Sequence, residues 1–251
     1  MTPETADHPL LDFALRLGDD RLVLGHRLSE WCGHAPLLEE DIALANIALD
    51  LLGHAIYFLQ LAGRVEGQGR TEDDFAYFRE AVDFRNVRMV ELPKGDFAFT
   101  MVRLFLFSVY SGVLYPALER SANTDLAAIA AKAAKETQYH VRHCREWVLR
   151  LGNGTEESHR RAQNALDALW PYTGELFLAD SGGDDALPEL GKLQPAWETA
   201  VSKVLREAEF PCPPVPEPWK FASRTGRHSE HLGHLLAEMQ IVARSFPNAT
   251  W

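Results

Sequence analysis

Apolar residues recur at helical spacing along most of the chain, most densely between residues 37 and 61. From Leu38 to Leu59 they follow one another at spacings of four and three, and further apolar residues cover much of the remaining circumference. A helix that is apolar on nearly every side is normally buried inside a helical protein. The remaining polar positions form one narrow strip: Glu39, Asn46, Asp50 and His54. The pattern predicts a buried helix whose polar strip faces water, a metal or other side chains.

The same periodicity predicts helices along the rest of the chain, with Pro, Gly and capping residues at their ends. A first helix over 10–32 folds back onto the second, 37–61, at a turn of Gly33-His34-Ala35-Pro36. The later predicted helices cover 97–120, 125–151, 156–178, 188 or 195 to 209, and 228–245, with a short helix or irregular link over 71–89. The Pro-rich segment 210–219 cannot be helical. Alternation typical of strands is essentially absent, so the predicted class is all-α.

Two long antiparallel helix pairs with a longer connection between them are typical of a ferritin-like four-helix bundle with one crossover. We expect a single domain over 1–251, with a core bundle at about 10–151 and additional C-terminal helices at about 156–251.

Composition narrows the possible functions. The formal net charge of −11 argues against nucleic-acid binding, because neutralising phosphates needs clustered Lys and Arg. Three widely spaced cysteines suit a reducing cytosol, and residues 1–9 are polar and acidic, unlike a signal peptide. The apolar run 97–118 contains Arg103 and is bounded by acids, so we interpret it as a core helix rather than a membrane span. A cytoplasmic protein without membrane partners is expected.

Ferritin-like bundles often hold two irons, using a carboxylate from each of two helices and a Glu-x-x-His pair from each of the other two. The first helix could offer Glu30 or Asp19. The second helix has Asp50 and His54, and the fourth has Glu136 and His140. In both pairs the histidine follows the acid by four positions instead of three. The third helix has no carboxylate between Asp96 and Glu119. A di-iron site would lack one carboxylate, and we predict that none forms.

A second group of possible metal ligands, His231, His234 and Glu238, falls on one face of the last helix and could suit zinc or iron. The alternative is an amphipathic helix whose polar side is exposed or meets a neighbour.

Long ordered segments resemble the family of structural subunits of phenylacetyl-CoA epoxidase, a multicomponent enzyme. These are RLGDDRLVLGHRLSEWCGHAPLLEEDIALANIALDLLGHA, KETQYHVRHCREWVLRLGNGTEES and HSEHLGHLLAEMQ. The resemblance runs from about Leu10 to Trp251 and is weakest over 67–83 and 179–224.

The resemblance implies a ferritin-like subunit that has lost its metal centre, holds no cofactor and pairs with a homologous di-iron catalytic subunit. That partner would bind phenylacetyl-CoA and receive electrons from a flavin and iron–sulfur reductase, within a complex that includes other epoxidase subunits. The family also suggests pairing through the first two helices, with Trp31 and Tyr57 as interface candidates, although these side chains could equally fill the chain's own core.

In the place of the metal we expect a closed polar network, because buried acids are costly unless they are paired. The predicted members are Glu30, Asp50, His54, Glu136 and His140. Two other functions stay open. One is an active di-iron oxygenase, for which Glu119 or Glu175 would have to move into the site and supply the missing carboxylate. The other is a ferritin-like metal-storage or interaction protein.

Overall fold

Helices make up all the regular secondary structure of the residues that the computed structural model describes, which are 8–178, 187–213, 223–247 and 249. The α-helices are α1 (Pro9–Ser29), α2 (Leu38–Glu66), α3 (Glu72–Tyr77), α4 (Arg88–Glu91), α5 (Phe97–Leu118), α6 (Thr124–Gly152), α7 (Glu156–Leu169), α8 (Gln194–Glu207) and α9 (Glu230–Ser245). Short 3-10 helices lie at Ala81–Asp83, Trp170–Phe177, Leu190–Leu193 and Ser223–Thr225. The all-α prediction is confirmed.

The four long helices form a ferritin-like bundle. α1 packs along α2 and α5 along α6, and the two hairpins meet where α2 contacts α6. Asp50 and His54 of α2 meet His140 and Glu136 of α6 in reverse order, so these two helices are antiparallel. α2 and α5 therefore run in the same direction, and residues 67–96 have to cross the length of the bundle between them. This is the single crossover expected of the ferritin-like plan.

The α5 helix lies in the middle of the core. By length and composition α2 and α5 could each cross a membrane, but 78% of the most apolar window of α5 is buried within the chain, against 50% for α2. The burial of α5 agrees with its interpretation as a core helix. Its N-terminus is capped by Asp96, whose side chain accepts a hydrogen bond from the Phe99 N–H.

The helix α2 continues beyond its predicted end at residue 61, because Gly63 serves packing rather than termination. A Cβ on Gly63 would lie 2.3 Å from the Arg70 carbonyl oxygen, so this position requires glycine inside the helix. The helix ends at Gly67, which has a φ of 69°. A left-handed glycine of this kind is the usual C-terminal stop.

The C-terminal helices pack onto the bundle. α7 lies on α5 and α6, α8 on α5 and α6, and α9 on α3 and α4. The helix predicted over 156–178 is regular only to Leu169, and a tighter turn follows from Trp170 because Pro171 has no N–H to donate. The Pro-rich segment is non-helical over 210–213, and the rest of it lies outside the described residues.

Candidate functional site

The polar strip of α2 faces α6, where two histidine–carboxylate pairs link the helices. His54 Nε2 lies 2.6 Å from Glu136 Oε2, and His140 Nε2 lies 2.9 Å from Asp50 Oδ2. The two imidazoles are almost fully buried, with ring centroids 6.4 Å apart, whereas both carboxylates are about one third exposed. Each ring is thus held by an acid that reaches the surface between the helices.

Behind His54 a buried arginine lies in the middle of the bundle. Arg21 of α1 is fully buried, and its Nε donates to the Tyr115 hydroxyl of α5 at 2.8 Å. The guanidinium lies 5.3–5.4 Å from the ring centroids of Phe58, Phe107 and Tyr115, in reach of cation–π attraction. The Tyr115 hydroxyl is 3.4 Å from His54 Nδ1. Four helices therefore contribute to one line of polar contacts, Arg21–Tyr115–His54–Glu136, which we call the central hydrogen-bond chain.

Electrostatics set the direction of this chain. Burial, and then the positive charge of Arg21, lower the pKa of His54 to about 3, so the ring is neutral near neutral pH. A neutral imidazole has one N–H. Because Glu136 is an acceptor when ionised, His54 donates from Nε2 and leaves Nδ1 to accept from Tyr115. Burial, and then the nearby Asp50, raise the pKa of Glu136. Burial raises the pKa of Tyr115 as well, which keeps its proton in place.

The residues of this site do not fit a di-iron centre. α5 offers no carboxylate, and the interior beside His54 is occupied by Tyr115 and Arg21. A fixed guanidinium charge disfavours a dication at short range. Among the residues that the structure describes, no group of three or more His, Cys, Asp and Glu side chains could hold a metal ion. The remaining donors, Asp50, His54, Glu136 and His140, bond to each other in pairs.

Glu30, the fifth predicted member of the polar network, lies apart from the others. Its carboxylate pairs with Arg27 at 2.6 Å, one turn back on α1, and its side chain is 36% exposed. Asp19, the alternative from the same helix, is buried and bonded to Arg79 and to the Arg85 N–H. The acids of α1 are therefore engaged away from α6.

The two interface candidates also differ from each other. Trp31 is buried in the chain's own core, where its Nε1 donates to Thr100 Oγ1 at 2.9 Å and its ring meets Phe97 edge-on. Tyr57 is half-buried, and its hydroxyl and ring contact Lys132 of α6. Trp31 is thus closed off within the chain, and Tyr57 lies at the edge of the α2–α6 contact.

The other candidate ligands remain dispersed. His234 and Glu238 are exposed on α9 and His231 is half-buried, as on the polar side of an amphipathic helix. Glu119 is exposed at the end of α5. Glu175 is buried, and its two oxygens accept from the Arg88 and Ser223 N–H groups at 2.7 and 2.9 Å. Neither glutamate reaches the central hydrogen-bond chain.

Sequence reasoning missed Arg21 and Tyr115. It also missed a third contact between an acid of α2 and a histidine of α6, in which His143 Nε2 lies 3.1 Å from Glu40 Oε2. A signal for Arg21 was present. The buried stripe of α1 passes through Leu17, Leu24 and Leu28, and Arg21 stands on that stripe at the same spacing. A charged residue on a buried stripe points to an interior polar site.

A continuous apolar surface borders the site on the outside of α2. It is made of large exposed side chains at heptad-like spacing, which we call the α2 seam: Leu38, Ile42, Leu49 and Ile56. Leu38 and Leu49 are 73% and 65% exposed, and Tyr139 of α6, beside the seam, is 40% exposed. Apolar positions repeating every 3.5 residues on an open helix face are typical of a surface that packs against another helix.

Comparisons with known proteins identify the family of the chain. The chain is 45% identical over 248 residues to the subunit designated C of the 1,2-phenylacetyl-CoA epoxidase of Escherichia coli (strain K12), covering 96% of this chain and 99% of that protein. The model of the family described as phenylacetic acid catabolic protein matches residues 1–251. A helical bundle, the resembling segments and a match along the full chain lead to one conclusion: the protein belongs to the phenylacetic acid catabolic protein family.

Proposed function

We propose that this chain is a non-catalytic structural subunit of a multicomponent phenylacetyl-CoA 1,2-epoxidase. In this role it pairs with a homologous subunit that carries the di-iron centre and binds most of the substrate, and a flavin and iron–sulfur reductase supplies the electrons. The name and high identity of the bacterial relative support the assignment to such a complex.

The central hydrogen-bond chain is the observation that supports a non-catalytic role for this chain. Arg21, Tyr115 and His54 place a cation and two neutral groups in the bundle interior, where the Tyr115 hydroxyl bonds both Arg21 and His54. Replacing metal ligands by such a set removes the cost of burying unpaired carboxylates. An interior filled in this way supports a structural role for the subunit rather than oxygen chemistry.

The α2 seam is the surface that fits the partner. Its large apolar side chains are exposed in this chain alone, and burying each of them would contribute roughly 1.5–3 kcal/mol. The chain carries a net charge of −11, so a second copy is a less suitable partner for the seam than a chain with basic residues. A homologous helix with basic flanks is the complementary partner.

Reconstitution tests the proposal. The chain and its homologous subunit are purified separately and together, and oxygen-dependent epoxidation of phenylacetyl-CoA is measured with the reductase present. We expect no activity from this chain alone, and activity in the mixture that is abolished when a metal-ligand variant of the partner is used. Epoxidation by this chain and the reductase without the partner would overturn the proposal and favour an active di-iron oxygenase. Iron uptake by this chain without oxygenase activity in any mixture would favour metal storage.

A further inference from the structure

A cavity that Tyr115 also lines opens between α5, α6 and α8. It has a volume of about 440 Å³, and its walls are mainly apolar, with Phe105, Val109 and Val141 among them. Small-molecule sites in proteins typically measure about 300–1,000 Å³ and combine apolar walls with a few polar groups. The cavity therefore has the size and chemistry of a ligand site.

Two residues of α5 that line the cavity are unfavourable for the helix that carries them. Gly112 costs about 1 kcal/mol relative to alanine in a helix interior, and Pro116 about 3 kcal/mol. The backbone at Gly112 does not have a positive φ, and a Cβ there would meet only Val141 Cγ2, at 3.6 Å. Neither conformation nor close packing thus requires this glycine. Its effect is to leave the cavity open.

Pro116 adds a polar group to the same wall. It has no N–H, so the carbonyl of Gly112, four residues earlier, does not receive the usual helical hydrogen bond. Both residues line the cavity, which places a backbone acceptor beside its apolar wall.

The mouth of the cavity is cationic in a chain of net negative charge. Arg145 of α6 and Lys203 of α8 both line it. Arg145 is paired with Glu207, whereas Lys203 is exposed and makes no hydrogen bond or ion pair with any other residue in the described part of the chain. An anionic group at this position would find an available ammonium group.

We propose that this cavity binds an amphipathic carboxylate, with the apolar tail between α5 and α6 and the carboxylate at Lys203. The volume and the apolar walls suit an alkyl or aryl tail, and the ammonium group of Lys203 selects an anionic head group. The proposal is independent of the subunit's role in an epoxidase.

Titration calorimetry of the full chain with decanoate tests the proposal, and decanol serves as the neutral ligand with the same tail. We expect saturable decanoate binding at one site. Lys203→Glu should weaken decanoate binding at least about fivefold, the effect of about 1 kcal/mol, and leave decanol binding nearly unchanged. Lys135→Glu makes the same charge change on α6 outside the cavity and should have no such effect.

Variants that fill the cavity with a larger side chain test whether the apolar tail of decanoate binds there. Gly112→Phe should abolish decanoate binding, and Ala134→Leu on the facing helix provides a second filled cavity if the first variant does not fold, as judged by its circular dichroism. Leu49→Ser in the α2 seam should leave binding unchanged, which excludes that surface as the site. The absence of saturable decanoate binding to the unmodified chain would overturn the proposal, as would binding that persists in a folded cavity-filling variant.

Discussion

Arg21 determines the chemistry of the bundle interior. Its guanidinium is held by three aromatic rings and by the Tyr115 hydroxyl, and its charge adds to the effect of burial in lowering the pKa of the neighbouring His54. A metal ion in the bundle interior would meet this fixed positive charge, which disfavours a dication at short range. The buried charge of Arg21 thus agrees with the pairing of the remaining acids and histidines with each other.

Removing the Arg21 charge should raise the pKa of His54. In Arg21→Met the burial of the ring persists but the positive charge is gone, so we expect the pKa of His54 to rise from about 3 by about one pH unit or more. Titration of the imidazole by nuclear magnetic resonance measures this. Arg21→Lys, which retains a cation, is the control and should keep the pKa low. An unchanged pKa in Arg21→Met would mean that Arg21 does not act on His54.

The neutral His54 should also make the fold sensitive to acid. Its pKa is about 3 in the folded chain against an ordinary 6.5, so between these pH values the unfolded chain takes up a proton that the folded chain does not. The contribution of His54 to the free energy of unfolding therefore falls as the pH drops below about 6.5. His54→Gln removes this group, and we expect the slope to decrease by up to about 1.4 kcal/mol per pH unit.

Urea denaturation of both proteins between about pH 7 and pH 5 measures the two slopes. His26 and His143, whose pKa values burial also lowers, should leave a residual slope in the variant. Equal slopes in the two proteins would contradict a buried, neutral His54.

At the scale of elements, α2 has two functions on two faces. One face pairs with α6 through Asp50 and His54, and the other exposes the α2 seam. The sequence predicted this helix and its polar strip correctly, because a strongly periodic pattern is a local property. It overestimated the burial of the helix, because an apolar pattern alone does not distinguish a core contact from a surface left for another chain.

Charging the seam should break the pairing without unfolding the chain. Because Leu49 and Ile56 are exposed, we expect Leu49→Asp with Ile56→Asp to change the free energy of unfolding of the isolated chain by no more than about 1 kcal/mol. The same double variant should lose co-purification with the homologous subunit. Ile241→Asp on α9 is the matched control, since that residue is 61% exposed and lies away from the seam. Co-purification that survives in the double variant would place the interface elsewhere.

At the scale of the whole molecule, buried ion pairs tie the C-terminal residues to the bundle. Arg224 bonds both oxygens of Asp20 on α1 at 3.0 and 2.9 Å, and His228 Nδ1 lies 2.9 Å from Glu91 on α4. Contacts between residues 204 and 137 positions apart are invisible to sequence periodicity. For this reason the helices and the bundle could be predicted, whereas these ion pairs could not. The sequence marks Arg21 as a charge on a buried stripe, but its partner Tyr115, 94 positions away, does not follow from that pattern. Nor does the pattern show that Glu30 pairs with Arg27 rather than with α6.

Neutralising Asp20 should destabilise the molecule strongly. Asp20→Asn leaves the buried Arg224 without its counter-charge, and we expect a loss of about 3–5 kcal/mol in the free energy of unfolding. Chemical denaturation measures it. Glu189→Gln, which breaks an exposed pair with Lys192, should cost less than about 1 kcal/mol. Equal effects of the two substitutions would contradict a structural role for the buried pair.

The iron content of the purified full chain, expressed with ample iron and without its partner, tests the central claim most directly. The central hydrogen-bond chain predicts iron far below stoichiometric levels, in Arg21→Lys as in the unmodified protein, because a cation remains in the interior. Two irons per chain, the content of an intact bundle centre, would contradict the account.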